Sequence, residues 1–487
     1  MDYYYLATAI VVAIIYFYRK YMKLVESVQH IPGPPVLPFV GNALKFIGKN
    51  PSALVTMGEE MIEKYGHFFR ILLGPKIVIV MSTPEDIESF LVDGKTMEKS
   101  EEYEYTKDWI GEGLITSTGQ KWFSRRKIIT PAFHFGILQS FVDTFDCNGN
   151  IFVEKLKNRQ SIDIFPFVVL YALDNICESA MGTKIKAQSN LNSDYAKAVD
   201  EITKLITRRH LILPLRNDFV FKITGFQAKQ KKLLKTLHGF TDSVIVARRD
   251  ELIKNINDNG TNVKSSLIDI LLKSSIDGKP LSNLDIREEV DTFMFAGHDT
   301  VSSAISFTLY NIAKYAEIQR KLFEELCQVF GDDRQRPHTL NDLNELRYME
   351  LVIKESLRIL PPVPFIGRKL KKDTVVNGKL LPNGANVVIA PLLMGRNSSI
   401  WKDPSSFIPE RFESDNMSTL SPFSFMSFSA GQRNCIGQKY AMLEMKSLIS
   451  KVLMNFEIEV EPGFKLGLKP VIVLKPTGGI KLRLKDR

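Results

Sequence analysis

The chain has 487 residues, of which 44% are hydrophobic and 24% charged, a globular balance with ample material for a core. Its 64 Lys and Arg against 55 Asp and Glu give a formal charge of +9, a mild excess with no basic tract interleaved with aromatics. That excludes a nucleic-acid binder and fits an anionic membrane surface or an acidic partner protein. Four widely spaced cysteines (Cys147, Cys177, Cys327 and Cys435), none in a CxxC pair, exclude a disulfide framework and point to a reducing compartment.

From the N-terminus, Tyr3 to Tyr18 is apolar except for Thr8 and stops at Arg19 and Lys20. The run is slightly short of the ~17–25 residues of a spanning helix. A thin bilayer and snorkelling of Arg19, Lys20 and Lys23 close the gap. A cleaved signal peptide is the rival reading, and Asp2 and the lack of a small-residue cleavage site count against it. The expectation is an uncleaved anchor and linker over residues 1–30, with the positive flank and the rest of the chain (31–487) in the cytosol. Ile31-Pro32-Gly33-Pro34-Pro35 cannot continue a helix and reads as a stiff spacer.

β-rich pieces follow at Phe68 to Met81, Asn386 to Ile389 and Lys469 to Leu474. Gln227 to Leu252 has helical periodicity, and Leu284 to Tyr315 is a long proline-free run suited to one helix. Asn255 to Asn262 reads as an exposed loop. Without a repeat or a second composition regime, the spacing predicts one mainly α domain with small β-sheets.

Four constellations carry chemistry. In Phe428-Ser-Ala-Gly431-Gln-Arg433-Asn-Cys435-Ile-Gly437 the glycines permit tight turns, and the helix-forming segment after it puts Cys435 at a helix N-terminus, which favours a thiolate. A thiolate is what a heme iron needs from sulfur, and Arg433 can neutralise a heme propionate. A buried structural cysteine is the bland alternative. Ala296-Gly297-His298-Asp299-Thr300 lies mid-helix. Its small residues leave room against a flat ligand, and Asp299 and Thr300 are awkward in an apolar helix unless they deliver protons. The alternative is a Thr bonded back to its own helix or a solvent-facing turn. His298 reads as a packing or polar-network residue. Glu355 and Arg358 share a helix face at i,i+3, and Arg411 in Pro409-Glu410-Arg411-Phe412 completes a buried Glu–Arg–Arg cluster with them; a surface ion pair is the plainer reading.

In order and spacing these motifs resemble the cytochrome P-450 superfamily over nearly the whole chain. Trp122 with Arg126 matches the family's heme-propionate pair, and Arg368, after Pro361-Pro362-Val363-Pro364, matches another propionate arginine. Thr130-Pro-Ala-Phe-His134-Phe, Glu289-Val-Asp-Thr-Phe-Met-Phe295 and Arg433-Asn-Cys-Ile-Gly-Gln438 look like family four, the branch of fatty-acid terminal hydroxylases and their insect relatives. Several vertebrate members carry a glutamate, which can be esterified to heme, where this chain has Ala296. The resemblance therefore implies heme b (iron protoporphyrin IX) held by Cys435 and noncovalent contacts alone. The long insertion of the insect hydrocarbon-forming members is absent.

The resemblance implies a heme-thiolate monooxygenase that inserts one atom of O2 into a hydrophobic substrate: a fatty acid, terpenoid hormone or xenobiotic. Cys435 is then the metal ligand and Thr300 the proton donor, fed by Asp299. Electrons from NADPH come through cytochrome P-450 reductase, with cytochrome b5 as a second donor, at the endoplasmic reticulum membrane. Lys121, Arg125, Lys127, Lys439 and Lys446 form a candidate basic docking face. Phe293, Val301, Val363, Phe365 and Val471 are the candidate pocket residues. A cytosolic domain leaves the sequons at Asn259, Asn397 and Asn416 unused. The other readings are a heme-thiolate isomerase or dehydratase that rearranges peroxides, and a noncatalytic heme-binding membrane protein.

Overall fold

The computed structural model describes residues 2–92, 98–257, 266–331, 333–334 and 336–487. Its main helices are α1 (Asp2–Glu26), α2 (Ala53–Tyr65), α3 (Gly119–Ile129), α4 (Phe135–Leu156), α5 (Phe165–Ser179), α6 (Asp194–Leu211), α7 (Phe226–Asn257), α8 (Asn283–Lys314), α9 (Arg347–Ile359) and α10 (Gln438–Asn455). The strands that matter here are β1 (Phe68–Leu73), β2 (Lys76–Met81), β3 (Ser161–Asp163), β4 (Ile366–Lys369), β5 (Asn386–Ile389), β6 (Phe456–Val460), β7 (Gly467–Val471), β8 (Val473–Thr477) and β9 (Lys481–Asp486).

The predicted long helix is α8. Ser282 caps it: its hydroxyl accepts from Asp285 N–H at 3.1 Å, and the Asp285 carboxylate accepts from Ser282 N–H at 3.2 Å. Such a cap stabilises a helix by roughly 0.5–2 kcal/mol. Downstream, Ile305, Phe307, Leu309 and Ile312 are fully buried, each stabilising the fold by about 1.5–3 kcal/mol. α8 packs along α5 and also touches α7, α9 and α10, so it runs through the middle of the domain. α7 covers it from outside and extends through Asn257, beyond the expected helix; the rest of the expected 255–262 loop lies outside the described residues.

Four strands form one sheet in the order β1-β2-β5-β4. Phe68 to Met81 is a hairpin, with Phe68 opposite Met81, and Gly74 sits in its turn at φ +62°. Asn386 to Ile389 is β5, parallel to β2. A second sheet joins β6, β9 and β3. Lys469 to Leu474 is not one strand. The chain reverses at Ile472, φ +64°, so β7 and β8 form a hairpin with Val471 opposite Val473. A β-branched residue at the turn itself, flanked by Val471 and Val473, hides that turn from a reading by composition.

The N-terminal expectation is corrected in two respects. Among the described residues no helix is long and apolar enough to cross a membrane. α1 carries Arg19, Lys20 and Lys23 inside the helix, while Tyr3 to Tyr18 remain exposed. The spacer is also not free. Tyr21, Val28 and Ile31 are buried in the core that backs the first sheet, and Pro32 C=O accepts from Arg70 N–H at 2.8 Å.

A polar seam joins α10 to α5. Glu444, fully buried, accepts from Asn175 Nδ2 at 2.9 Å, and its second oxygen has no hydrogen-bond partner among the described residues. Burial raises its carboxyl to about 8. The folded state therefore binds a proton that the unfolded chain releases above about 4.5, so Glu444 weakens the fold progressively as pH rises from there to about 8. Glu444→Gln should flatten the fall in unfolding midpoint between pH 5 and pH 8.5, measured by denaturant titration; an unchanged slope would refute this role. Of the sequons, Asn397 is 2% exposed and its side-chain oxygen accepts from Ser399 N–H at 2.8 Å, whereas Asn416 is exposed and Asn259 lies outside the described residues.

Candidate active site

Cys435 sits on the loop that leads into α10. Ser429 at φ +58° and Gly431 at φ +69° bend the chain, and Cys435 N–H donates to Phe428 C=O at 2.9 Å. The helix begins only at Gln438, with Gly437 as its N-cap, so the thiol lies before the first turn instead of within it. Burial pushes the thiol up, while the Gly437 N–H and the Arg126 guanidinium pull it down. Its accessible face opens into a cavity of about 290 Å³. Phe428, Phe293, Ala296, Gly437, Val301 and Val363 line that cavity with it. Phe293 stacks on Phe133, ring centroids 5.6 Å apart.

Cations gather on one rim of this cavity. Lys99, Trp122, Arg126, Arg368 and Arg433 all line it. Among the described residues no carboxylate pairs with Lys99, Arg126, Arg368 or Arg433. Arg126 donates to the Asn434 backbone and side-chain oxygens at 3.0 and 2.8 Å. Arg433 donates to Ser117 C=O at 2.5 Å, lies 4.3 Å over the Trp122 ring, and leaves Nε buried without a partner among the described residues. Arg368, 1% exposed, donates to Gly367 C=O at 3.0 Å. Burial and then Arg368 push Arg433 down to about 9, and burial with the same two arginines pushes Lys99 well down. Desolvated like charges this close need an anion. A flat apolar group with two carboxylates and an iron facing the thiol fits that demand, and Cys435, Trp122, Arg126, Arg368, Arg433 and Lys99 are the residues that would hold it. Lys99 escaped the sequence reading because no motif marks it; only folding brings it beside Arg368.

The family model described as Cytochrome P450 matches residues 31–483. The chain is 43% identical to "Cytochrome P450 4d1" of Drosophila melanogaster over 93% of its own length and 92% of the relative's. It is 44% identical to "Cytochrome P450 4d2" of the same organism, over 94% of each chain. It is 41% identical to "Cytochrome P450 4V2" of Homo sapiens over 88% and 84%. The chain belongs to the cytochrome P450 family. It is a monooxygenase, and the resemblance to family four stands. In this P450 heme is the implied cofactor; when bound it supplies the redox chemistry of oxygen insertion, with a cysteine thiolate as its protein ligand.

α8 crosses over this site. Ala296 and Thr300 line both the cysteine cavity and an adjoining cavity of about 410 Å³. Thr300 Oγ1 donates to Ala296 C=O at 2.7 Å, bonding back onto its own helix. Asp299, 2% exposed, lines neither cavity and pairs with Lys475 Nζ at 2.7 Å. Gly297 lines the cysteine cavity as expected, and it is also small for a second reason: a Cβ there would meet the Ile176 side chain of α5 at 2.5 Å. His298 is buried, with Nδ1 2.5 Å from Met294 C=O.

Glu355 is fully buried on α9. It accepts from Arg358 Nε and Nη2, both at 2.7 Å, from Arg411 Nε at 3.3 Å and from Ile408 N–H at 2.8 Å. Arg358 also donates to Pro404 and Ser406 carbonyls at 3.0 and 3.1 Å. The cluster ties α9 to the segment before the cysteine loop.

Phe365 lines the larger cavity and Val363 lines both. Val471 does not belong to the pocket; it is 2% exposed, and its neighbours Pro470, Ile472 and Val473 line the larger cavity in its place. The hairpin turn reverses which side chains face inward. The basic face is also smaller than expected. Arg125 is buried against Asp285, Lys446 against Glu350, and Lys121 bridges Glu112 and Glu288; Lys127 and Lys439 are exposed.

Proposed function

We propose that this monooxygenase hydroxylates a long-chain carboxylate, a fatty acid or a close relative, with NADPH-derived electrons from a flavoprotein reductase. The observation that carries the substrate class is Arg216. It stands in the wall of the larger cavity with Thr300, His210 and the carboxylate of Glu102, in a lining that is mostly apolar beyond these. Its Nε and Nη2 donate to His210 C=O at 2.9 and 2.6 Å, and among the described residues it forms no ion pair. Burial lowers its proton affinity, while Tyr105 and Glu102 partly restore it. A half-desolvated cation in an apolar chamber favours an anionic head with an apolar tail.

Thr300 and Ala296 line both cavities and Cys435 the smaller one, so the tail is oxidised where it passes Ala296. Thr300 is the proton-donating hydroxyl and Asp299 its acid. The exposed apolar side chains of α1 and the lysines beside them fit the interface of the endoplasmic reticulum membrane, from which such a substrate partitions. Lys127 and Lys439 remain as the exposed part of the reductase-docking face.

The test is turnover of dodecanoate and methyl dodecanoate with NADPH and reductase. Arg216→Met should raise KM for the acid about tenfold, the equivalent of ~1.4 kcal/mol of binding, and leave kcat and the ester's KM close to wild type. An equal effect on acid and ester, or none on either, would sink the carboxylate reading.

A further inference from the structure

The turn between the short helix Lys107–Ile110 and α3 is gripped by α8 at three points. Glu289, 1% exposed, accepts from Leu114 N–H at 3.0 Å. Thr292 Oγ1 donates to Ile110 C=O at 3.5 Å. Gly113 lies so close to α8 that a Cβ there would collide with Thr292 Oγ1 and Glu288 C=O. The turn is also closed on itself, because Gly113 C=O accepts from Thr116 and Ser117 N–H at 3.1 and 2.9 Å. Whatever holds Leu114 therefore holds Ser117 as well.

The same turn meets the cation rim. Its Leu114 and Ser117 carbonyls accept from Arg433 Nη1 and Nη2 at 3.4 and 2.5 Å. With the Trp122 ring 4.3 Å from the guanidinium, those carbonyls fix where Arg433 points. Glu289 has a second attachment. Its Oε1 is buried without a hydrogen-bond partner among the described residues and lies 3.8 Å from Arg125 Nε, the two side chains 1% and 3% exposed. Arg125 belongs to α3, which also carries Trp122 and Arg126, and its Nη2 meets Asp285 Oδ1 at 2.5 Å. One carboxylate thus reaches both elements that set Arg433, Trp122 and Arg126.

We propose that Glu289 is a positioning residue for heme: it holds the 110–117 turn, and through the turn's carbonyls it aims Arg433 at a heme carboxylate. This rests on the reading of Arg433 as a partner of that carboxylate. Glu289 lines neither cavity, so it acts through Leu114 and Arg433. An arginine already aimed loses less freedom when heme arrives, and the binding keeps more of its free energy. With the turn released, the guanidinium would sample other rotamers, hold heme less tightly and compensate less of the negative charge beside it. The ferrous state carries one more negative charge than the ferric, so it would be disfavoured.

The experiment follows heme release from the ferric holoenzyme to excess apomyoglobin, beside the ferric–ferrous midpoint potential. Glu289→Ala should release heme about tenfold faster, the equivalent of ~1.4 kcal/mol, and lower the midpoint. Glu289→Gln, which keeps an acceptor for Leu114 N–H, should stay close to wild type in both. Gly113→Ala pushes the turn off α8 without touching Glu289 and should reproduce Glu289→Ala; it carries the test if Glu289→Ala does not fold. Added to Arg433→Met, Glu289→Ala should change neither quantity further, whereas a merely structural role would add its own effect. Wild-type release from folded Glu289→Ala or Gly113→Ala, or additive effects in the double variant, would overturn the proposal. Arg433→Met with wild-type release would show that the reading of Arg433 fails, and the role of Glu289 falls with it.

Discussion

Replacing Cys435 with alanine should abolish the strongly red-shifted Soret band of the dithionite-reduced protein under CO, and all oxygenated product with it. The physical reason is the lack of a substitute. Among the described residues no imidazole lines the cysteine cavity, and His298, the histidine in the neighbouring helical turn, is buried with its Nδ1 2.5 Å from Met294 C=O. Met445 also lines the cavity, but a neutral thioether supplies none of the electron density that a thiolate does. The cation rim is untouched by the substitution, so heme should still be retained to some extent, with an altered spectrum. A wild-type band typical of histidine ligation would overturn the assignment of Cys435, whatever the variant does.

Glu355→Ala should destabilise the protein by roughly 3–5 kcal/mol, the usual effect of stranding one member of a buried ion pair. Arg358, 2% exposed, would keep its carbonyl contacts but lose its counter-charge, and Arg411 would lose its link to α9. The exposed pair Lys321–Glu410, 3.0 Å apart, gives the contrast: removing it should change stability by ~0–1 kcal/mol. Denaturant unfolding of purified protein, with heme content followed alongside, measures both. Glu355→Ala unfolding together with wild type would show that the cluster is dispensable.

Much of the frame was readable because it depends on local pattern. α8 declares itself through a long proline-free run, and β5 through three successive residues of strand-forming type, Val387, Val388 and Ile389. The cysteine loop is equally local, with its bends and its sulfur within a few residues of one another. What escaped is what folding brings together from distant segments. Lys99 reaches Arg368 on the cation rim, and Lys475 reaches Asp299, each from a segment far away in the chain. Arg125 and Lys446 read as surface charges until α8 and α9 supply Asp285 and Glu350 beside them. Val471 was misplaced for a smaller reason: a turn at a single isoleucine inverts the facing of its neighbours. The N-terminal run shows that composition alone does not say where a helix stops, because α1 continues through its basic residues to Glu26 and its end is packed.

The contact between Gly297 and Ile176 has a consequence for redesigning this enzyme. With no room for even a methyl group between α8 and α5, that wall of the active site is effectively fixed, and substitutions there would be felt as lost fold before altered selectivity. The opposite wall is assembled from a helix end and a hairpin tip, around His210, Arg216 and Ile472, where side chains meet open cavity instead of a packed neighbour. Library mutagenesis aimed at new substrates should concentrate on that side, and natural diversification of relatives should have found most of its freedom there.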